Sequence, residues 1–271
     1  ILDRSADAYR KTRNTLRFLL GALADFDPAK DAVANQDLAP LDRWVLDAFG
    51  RMAREARDAY TRFEFHRATQ ALLSFCQLEL SGRYFEIIKD RLYCDALDSP
   101  RRRSCRHACW ELAKGLCTLL APVMSFTADE AWEQIPGCEG SVHEQRFPEI
   151  NGGAVELRWE KLWGVREAVQ AAMEPHRAAK TIGTSLDAAV EITLGNPADW
   201  DLLDGIGESL DDLLVVSSIA RIADSRAGSG PKVAVTAHPG EKCPRCWNRK
   251  GGHGNGEDAA LCKRCATVVG A

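Results

Sequence analysis

Apolar residues recur at helical spacing through the first half of the chain. Tyr9, Leu16, Leu19, Leu20 and Leu23 fall on one face of a helix expected over residues 2–23, slightly weakened by Gly21. Phe26-Asp27-Pro28 ends it, and an acidic loop runs to Pro40. A second helix is expected over 41–61, with Trp44, Val45, Phe49, Met52 and Ala56 at core spacing. A third, over 65–92, carries Leu72, Leu73, Phe75, Cys76, Leu78 and Leu80, and its exit Tyr84 to Lys89 is still helical. A fourth, over 100–134, opens on Arg101, Arg102, Arg103 and Arg106 and becomes apolar through Leu112, Leu116, Leu119 and Leu120. Pro122 removes one backbone hydrogen bond and should kink it. Four long amphipathic helices on short loops predict a mainly α fold built on a helical bundle.

Glycines at 137, 140, 152 and 153 and Pro148 interrupt that pattern, so the bundle is assigned residues 1–137 and a linker 138–158. Beyond it the periodicity changes. One amphipathic helix over 162–181 precedes short β-rich runs at 188–194, 213–222 and 232–238, with a helix over 200–210 between the first two. This predicts a small α+β module over 159–238, with Gly228-Ser229-Gly230-Pro231 as its hairpin turn.

Composition narrows the class. The 271 residues are 45% apolar, enough to build real cores, and the formal charge of -4 carries no global nucleic-acid signature. The first twenty residues hold Asp3, Arg4, Arg10, Lys11, Arg13 and Arg17, unlike a signal peptide, and no run is apolar enough to span a bilayer. A cytoplasmic, monomeric protein without membrane contact is expected. The chain starts at Ile1, inside a helical pattern and without an initiator methionine, and so reads as a piece of a longer protein.

The ten cysteines suit a reducing compartment. Cys76, Cys105, Cys109 and Cys117 lie among helical apolar residues and read as small buried hydrophobes. His107 sits about 200° around the helix from Cys105 and Cys109, so these three cannot converge on a metal.

Residues 239–271 are different. Cys243 and Cys246 are two residues apart, as are Cys262 and Cys265, with fifteen residues between the pairs. That spacing predicts a closed four-thiolate zinc knuckle holding one structural ion, with no open position for catalysis. The alternative is two unrelated cysteine pairs or two disulfides. Gly251, Gly252, Gly254 and Gly256 supply turns, and only Trp247, Leu261, Val268 and Val269 could form a core, so metal binding would provide most of the folding free energy. Six basic residues, Lys242, Arg245, Arg249, Lys250, Lys263 and Arg264, face three acidic ones, Glu241, Glu257 and Asp258, for a side-chain charge of +3 before the thiolates.

Two features leave their roles open. Arg10, Arg13, Asn14 and Arg17 make a polar stripe along the first helix, either an ordinary solvated face or a surface for phosphates and base edges. Trp247, beside a metal ligand, either caps the knuckle's small core or offers its indole to a partner. No glycine-rich phosphate loop, nucleophile elbow or histidine–carboxylate pair at useful spacing is present in the sequence, which favours a binding architecture.

Eight segments in order resemble bacterial isoleucyl-tRNA synthetases across essentially the whole chain. They are Tyr9 to Gly21, Leu41-Asp42-Arg43-Trp44, Tyr84-Phe85, Leu120-Ala121-Pro122, Thr127 to Trp132, Ser141-Val142-His143, Lys180 to Leu186, and Cys243-Pro244-Arg245-Cys246-Trp247. One departure is Met173-Glu174-Pro175-His176-Arg177, whose Pro175 is expected to bend its helix.

The resemblance implies a class I synthetase-type anticodon-binding bundle, with isoleucine tRNA and the rest of the same polypeptide as partners. HIGH-type and KMSKS-type signatures are absent from the sequence, so ATP use, isoleucine activation and editing would lie elsewhere in the full enzyme. It also implies that the first bundle helix faces the anticodon stem-loop. Arg10, Arg13, Asn14, Arg17 and Trp247 then become the expected RNA contacts, bundle and knuckle gripping the loop from two sides. The rival readings are another aliphatic class I synthetase, such as that for valine, against which the terminal knuckle argues, and a zinc-ribbon interaction or DNA-binding module, against which the bundle argues.

Overall fold

The computed structural model describes residues 2–149, 152–226, 228, 230–252 and 258–270. The described chain divides into two compact units: residues up to 92 with 96–154, and residues 93–95 with those from 155 onward.

The first unit is helical. Its elements are α1 (Leu2–Ala22), the short α2 (Pro28–Asp31), α3 (Pro40–Thr61), α4 (Phe65–Ser74), a π-helical stretch Phe75–Tyr84 running straight into α5 (Phe85–Cys94, whose last two residues group with the second unit), α6 (Pro100–Leu120) and α7 (Ser125–Trp132). Pro40 and Pro100 each take a first-turn position, where a missing N–H costs nothing and the fixed φ favours helix. Leu41, Val45, Phe49, Met52, Ala56 and Ala59 line the buried stripe of α3, at three- and four-residue steps. Helix α3 packs on α6, and α6 on α1; Leu16 and Leu19 of α1, Leu23 just beyond it, and Leu112, Leu116 and Leu119 of α6 are all at most 3% exposed. Each such leucine contributes roughly 1.5–3 kcal/mol by leaving water. Gly115 of α6 makes room for this core, since a Cβ there would stand 2.4 Å from Cζ of Phe49. The mainly helical fold read from the sequence is what the structure has.

A polar network crosses the bundle core. The fully buried Asp42 accepts from the Tyr84 hydroxyl at 2.6 Å through Oδ1 and from Ser104 Oγ at 2.5 Å through Oδ2, with Arg91 Nη1 3.7 Å away. Burial, with the Asp42 carboxylate beside it, pushes the Tyr84 hydroxyl far above its ordinary range. Cys76, Cys105, Cys109 and Cys117 are buried as expected, and desolvation lifts the Cys76 and Cys117 thiols to about 12. His107 packs its ring against Trp110.

Two details of the helical reading change. The fourth helix is broken at Pro122 rather than kinked: α6 ends at Leu120, a turn follows, and α7 restarts at Ser125. The third contains ten residues of wider π winding, a departure that apolar periodicity does not announce.

The second unit opens with α8 (Leu157–Ala178), which begins five residues earlier than expected and continues past Pro175. Trp159, Leu162, Val165, Val169 and Met173 form its buried face. Then come β1 (Ala188–Leu194), α9 (Ala198–Asp204), α10 (Leu210–Leu214), β2 (Ser218–Ala223), β3 (Lys232–Ala237) and α11 (Lys263–Val269). The sheet order is β2-β1-β3, with β2 parallel and β3 antiparallel to the central strand, so Val190 pairs with Ile219 on one side and Val235 on the other. Segment 228–231 is therefore not a hairpin turn, because the strands that flank it lie on opposite edges of β1; Ser229 itself falls outside the described residues. The strand expected over 213–222 is likewise divided. Leu213 and Leu214 belong to α10, Val215 adopts φ +56 and ends that helix, and only from Ser218 is the chain extended.

Candidate metal centre and nucleic-acid interface

The cysteine knuckle folds around two backbone turns. In the first, the Trp247 N–H donates to the Cys243 carbonyl and the Cys243 N–H to the Asn248 carbonyl, both at 2.9 Å. In the second, Cys262 is the residue before α11 and Cys265 lies in its first turn, the Ala266 N–H closing back on the Cys262 carbonyl. Gly251 allows the two halves to close, since a Cβ there would meet the Ala260 and Glu241 carbonyls at 2.8 and 3.0 Å. Gly254, Gly256 and Glu257 lie outside the described residues.

All four sulfurs fall within 4.8 Å of one another, and Cys246 Sγ and Cys262 Sγ stand 3.7 Å apart. Four thiolates placed tetrahedrally about zinc at ~2.3 Å have sulfurs about 3.8 Å from one another, so the cluster fits such an ion. Among the described residues no other group of three or more histidine, cysteine or acidic side chains converges in this way. Burial opposes ionisation of Cys243, yet backbone N–H groups of Cys246, Cys262 and Arg245 aimed at its sulfur bring that thiol down to about 6. Burial raises Cys246 and Cys265 instead. The cluster can hold a metal ion and, with every position taken by sulfur, offers it no open coordination site.

The core around the sulfurs differs from the one expected. Of Trp247, Leu261, Val268 and Val269 only Leu261 is buried; Ala266 and, from far back in the chain, Cys94 complete the cluster. Cys94 sits in the stretch 93–95 that groups with this unit. Its thiol donates to the Arg245 carbonyl at 3.6 Å, while the Arg245 guanidinium donates to the Cys94 and Tyr93 carbonyls and to Cys265 Sγ.

Trp247 does not cap the core. It is 54% exposed and holds φ +64, a left-handed conformation that costs a residue with a side chain roughly 1–2 kcal/mol. Lys242 Nζ lies 5.0 Å from the centre of its ring, a cation–π pair that no spacing rule in the sequence announces.

In the first unit, Arg10, Arg13, Asn14 and Arg17 are all exposed along α1. Arg10 is 3.7 Å from Asp7, while Arg13, Asn14 and Arg17 have no ion-pair or hydrogen-bond partner among the described residues. Tyr9, at the edge of the apolar face, is 42% exposed and reaches Thr127 through its hydroxyl at 3.0 Å.

A second anchor ties the knuckle to the β module. Asp187 accepts from the Thr184 and Gly183 N–H groups through Oδ2 and from Arg249 Nε and Nη2 through Oδ1, at 2.9 and 2.6 Å. The Arg249 N–H donates to Ser217 Oγ, which in turn donates to the Leu186 carbonyl.

A family model described as the anticodon-binding domain of tRNA ligase matches residues 42–192. The chain is 43% identical over 283 residues to an isoleucine–tRNA ligase of Neisseria meningitidis serogroup A, covering 100% of this chain and 30% of the relative. It is 40% identical to that of Geobacter sulfurreducens, covering 99% and 30%, and 38% identical to that of Desulfitobacterium hafniense, covering 99% and 31%. The chain thus spans about a third of the length of these curated relatives. With more than half of its residues inside the family match and a helical bundle beneath them, the chain belongs to the family of tRNA-ligase anticodon-binding domains.

Proposed function

We propose that this chain is the anticodon-binding part of an isoleucine–tRNA ligase, that its knuckle holds one structural zinc ion through Cys243, Cys246, Cys262 and Cys265, and that its ligand is isoleucine tRNA. The observation that carries the reading is the end-to-end match: relatives bearing that name align over 99–100% of the chain, including the cysteine knuckle, which lies outside the 42–192 family match. Activation of isoleucine with ATP would belong to the parts of such a ligase outside these 271 residues.

The contribution of this chain is positional. The guanidinium forks of Arg10, Arg13 and Arg17 suit phosphate oxygens, and the Asn14 carboxamide can both donate to and accept from a base edge. The exposed indole of Trp247 suits an unstacked base. Zinc fixes the turn that carries that indole, and the left-handed backbone there puts strain where a binding side chain is displayed.

The test is fluorescence anisotropy with labelled anticodon stem-loops of isoleucine and valine tRNAs, on zinc-loaded protein at fixed salt. The isoleucine stem-loop is expected to bind at least about tenfold tighter, a difference of about 1.4 kcal/mol. Arg13→Ala should weaken binding and flatten its salt dependence by about one phosphate equivalent. Equal affinity for both stem-loops would remove isoleucine from the assignment.

A further inference from the structure

The structure sorts the basic residues of the knuckle by use. Arg245 is spent on the Cys94 and Tyr93 carbonyls, Arg249 on Asp187, Lys250 on Asp211 at 3.2 Å, and Arg264 on Asp95 at 3.4 Å. Of the six, only Lys242 and Lys263 have side chains with neither an ion pair nor a hydrogen bond among the described residues, and both residues are exposed. Lys263 begins α11 and, among the described residues, stands over no aromatic ring. Lys242 stands over the indole of Trp247.

We propose that Lys242 and Trp247 form a single nucleotide-binding subsite, in which the indole stacks on an unpaired base and the ammonium takes a phosphate of the same nucleotide. The inference rests on the RNA-binding reading above and deepens it by assigning the electrostatic partner of the stack. Three observations converge on it. Trp247 is held outward by a backbone conformation that a glycine would adopt without strain, so it is displayed at a cost to the fold. The ammonium lies 5.0 Å from the centre of a ring whose residue is 54% exposed, so charge and stacking surface stand side by side. The guanidiniums that would compete for the phosphate are engaged within the protein. Lysine suits the task because its charge sits on a flexible four-carbon stem that can swing from ring to phosphate while remaining next to both.

The subsite predicts separable effects of charge and ring. For a single-stranded ligand each phosphate neutralised contributes about 0.7 to the slope of log K against log salt. Lys242→Gln should therefore flatten the slope by about 0.7 and weaken stem-loop binding about fivefold at 0.1 M salt, whereas Lys242→Arg keeps the slope. Trp247→Ala should weaken binding with the slope unchanged, and Lys263→Gln should change neither. Zinc content measured on each variant reports whether the knuckle is intact. If Trp247→Ala weakens binding but Lys242→Gln leaves the slope alone, or if Lys263→Gln flattens it equally, the lysine has no phosphate of its own and the subsite is overturned. Unchanged affinity in Trp247→Ala, with the stem-loop still bound, overturns the subsite while the anticodon-binding reading stands. Failure of the unaltered chain to bind any stem-loop removes that reading, and the subsite with it.

Discussion

Arg249 and Asp187, 62 positions apart, meet through one oxygen: both Nε and Nη2 of the arginine converge on Oδ1, leaving Oδ2 to the N–H groups of Gly183 and Thr184. The metal knuckle and the loop entering the central strand thus share one carboxylate.

Removing that carboxylate should loosen the second unit. Asp187→Ala is expected to cost about 2 kcal/mol, the usual loss for hydrogen bonds to a charged group, read as faster hydrogen exchange in β1 and in the knuckle. The double variant with Arg249→Ala should cost less than the two single changes together, because both delete the same contact. Burial works against the Asp187 charge, but the Thr184 N–H, Arg249 and the Gly183 N–H together hold its carboxyl below the ordinary value. A folded-state value below the unfolded one means the stabilisation is complete at neutral pH and fades as pH falls below about 4, through the folded value. The unaltered unit should therefore lose this stability on acidification, whereas Asp187→Asn, with no carboxylate to protonate there, should start less stable at neutral pH and lose less as pH falls, and Arg249→Lys should keep the acid-dependent loss.

The four sulfurs make a second prediction. Cys262→Ser, or chelation of the unaltered protein, should reduce zinc from one ion per chain to none and release the knuckle, because Leu261 and Ala266 supply little apolar core without it. The helical circular dichroism of the first unit should survive, since its leucine core contains none of these residues. Wholesale loss of helix on chelation would contradict this.

Asp42 makes the third. Asp42→Ala leaves Tyr84, Ser104 and Arg91 inside the bundle without their shared acceptor, and breaking one partner of a buried charged network costs about 3–5 kcal/mol. Asp42→Asn should cost less, because the amide oxygen still accepts one hydroxyl. Hydrogen exchange in α3 and α6 measures both; protection equal to the unaltered protein would show that the network is energetically idle.

What could be read in the sequence follows from what is local. Leu16, Leu19 and Leu23, or Leu112, Leu116 and Leu119, announce a helical face by spacing alone, and two C-x2-C pairs announce a shared ion because each pair closes its own turn. Leu213 to Val216 misled because a short apolar run with β-branched residues fits either period, and the choice fell to the left-handed Val215 that stops α10. The glycine and proline cluster near residue 230 marks a change of direction, but turn chemistry does not say which strands pair, and here β1 lies between them. Lys242 over Trp247, Arg249 on Asp187 and Cys94 beside the sulfurs arise only after folding, and no periodicity encodes them.

Cys94 bears on how the molecule is made. It stands 151 positions before the Arg245 carbonyl that its thiol meets, and it completes the apolar lining of the metal site. Closing a loop of that length is entropically inexpensive at equilibrium, since the cost grows only with the logarithm of length, but contacts so distant along the chain form slowly. The four sulfurs lie close together in sequence, while part of their packing comes from a residue far back along the chain. A peptide of the last thirty residues alone would therefore present its four sulfurs with one wall of the site missing.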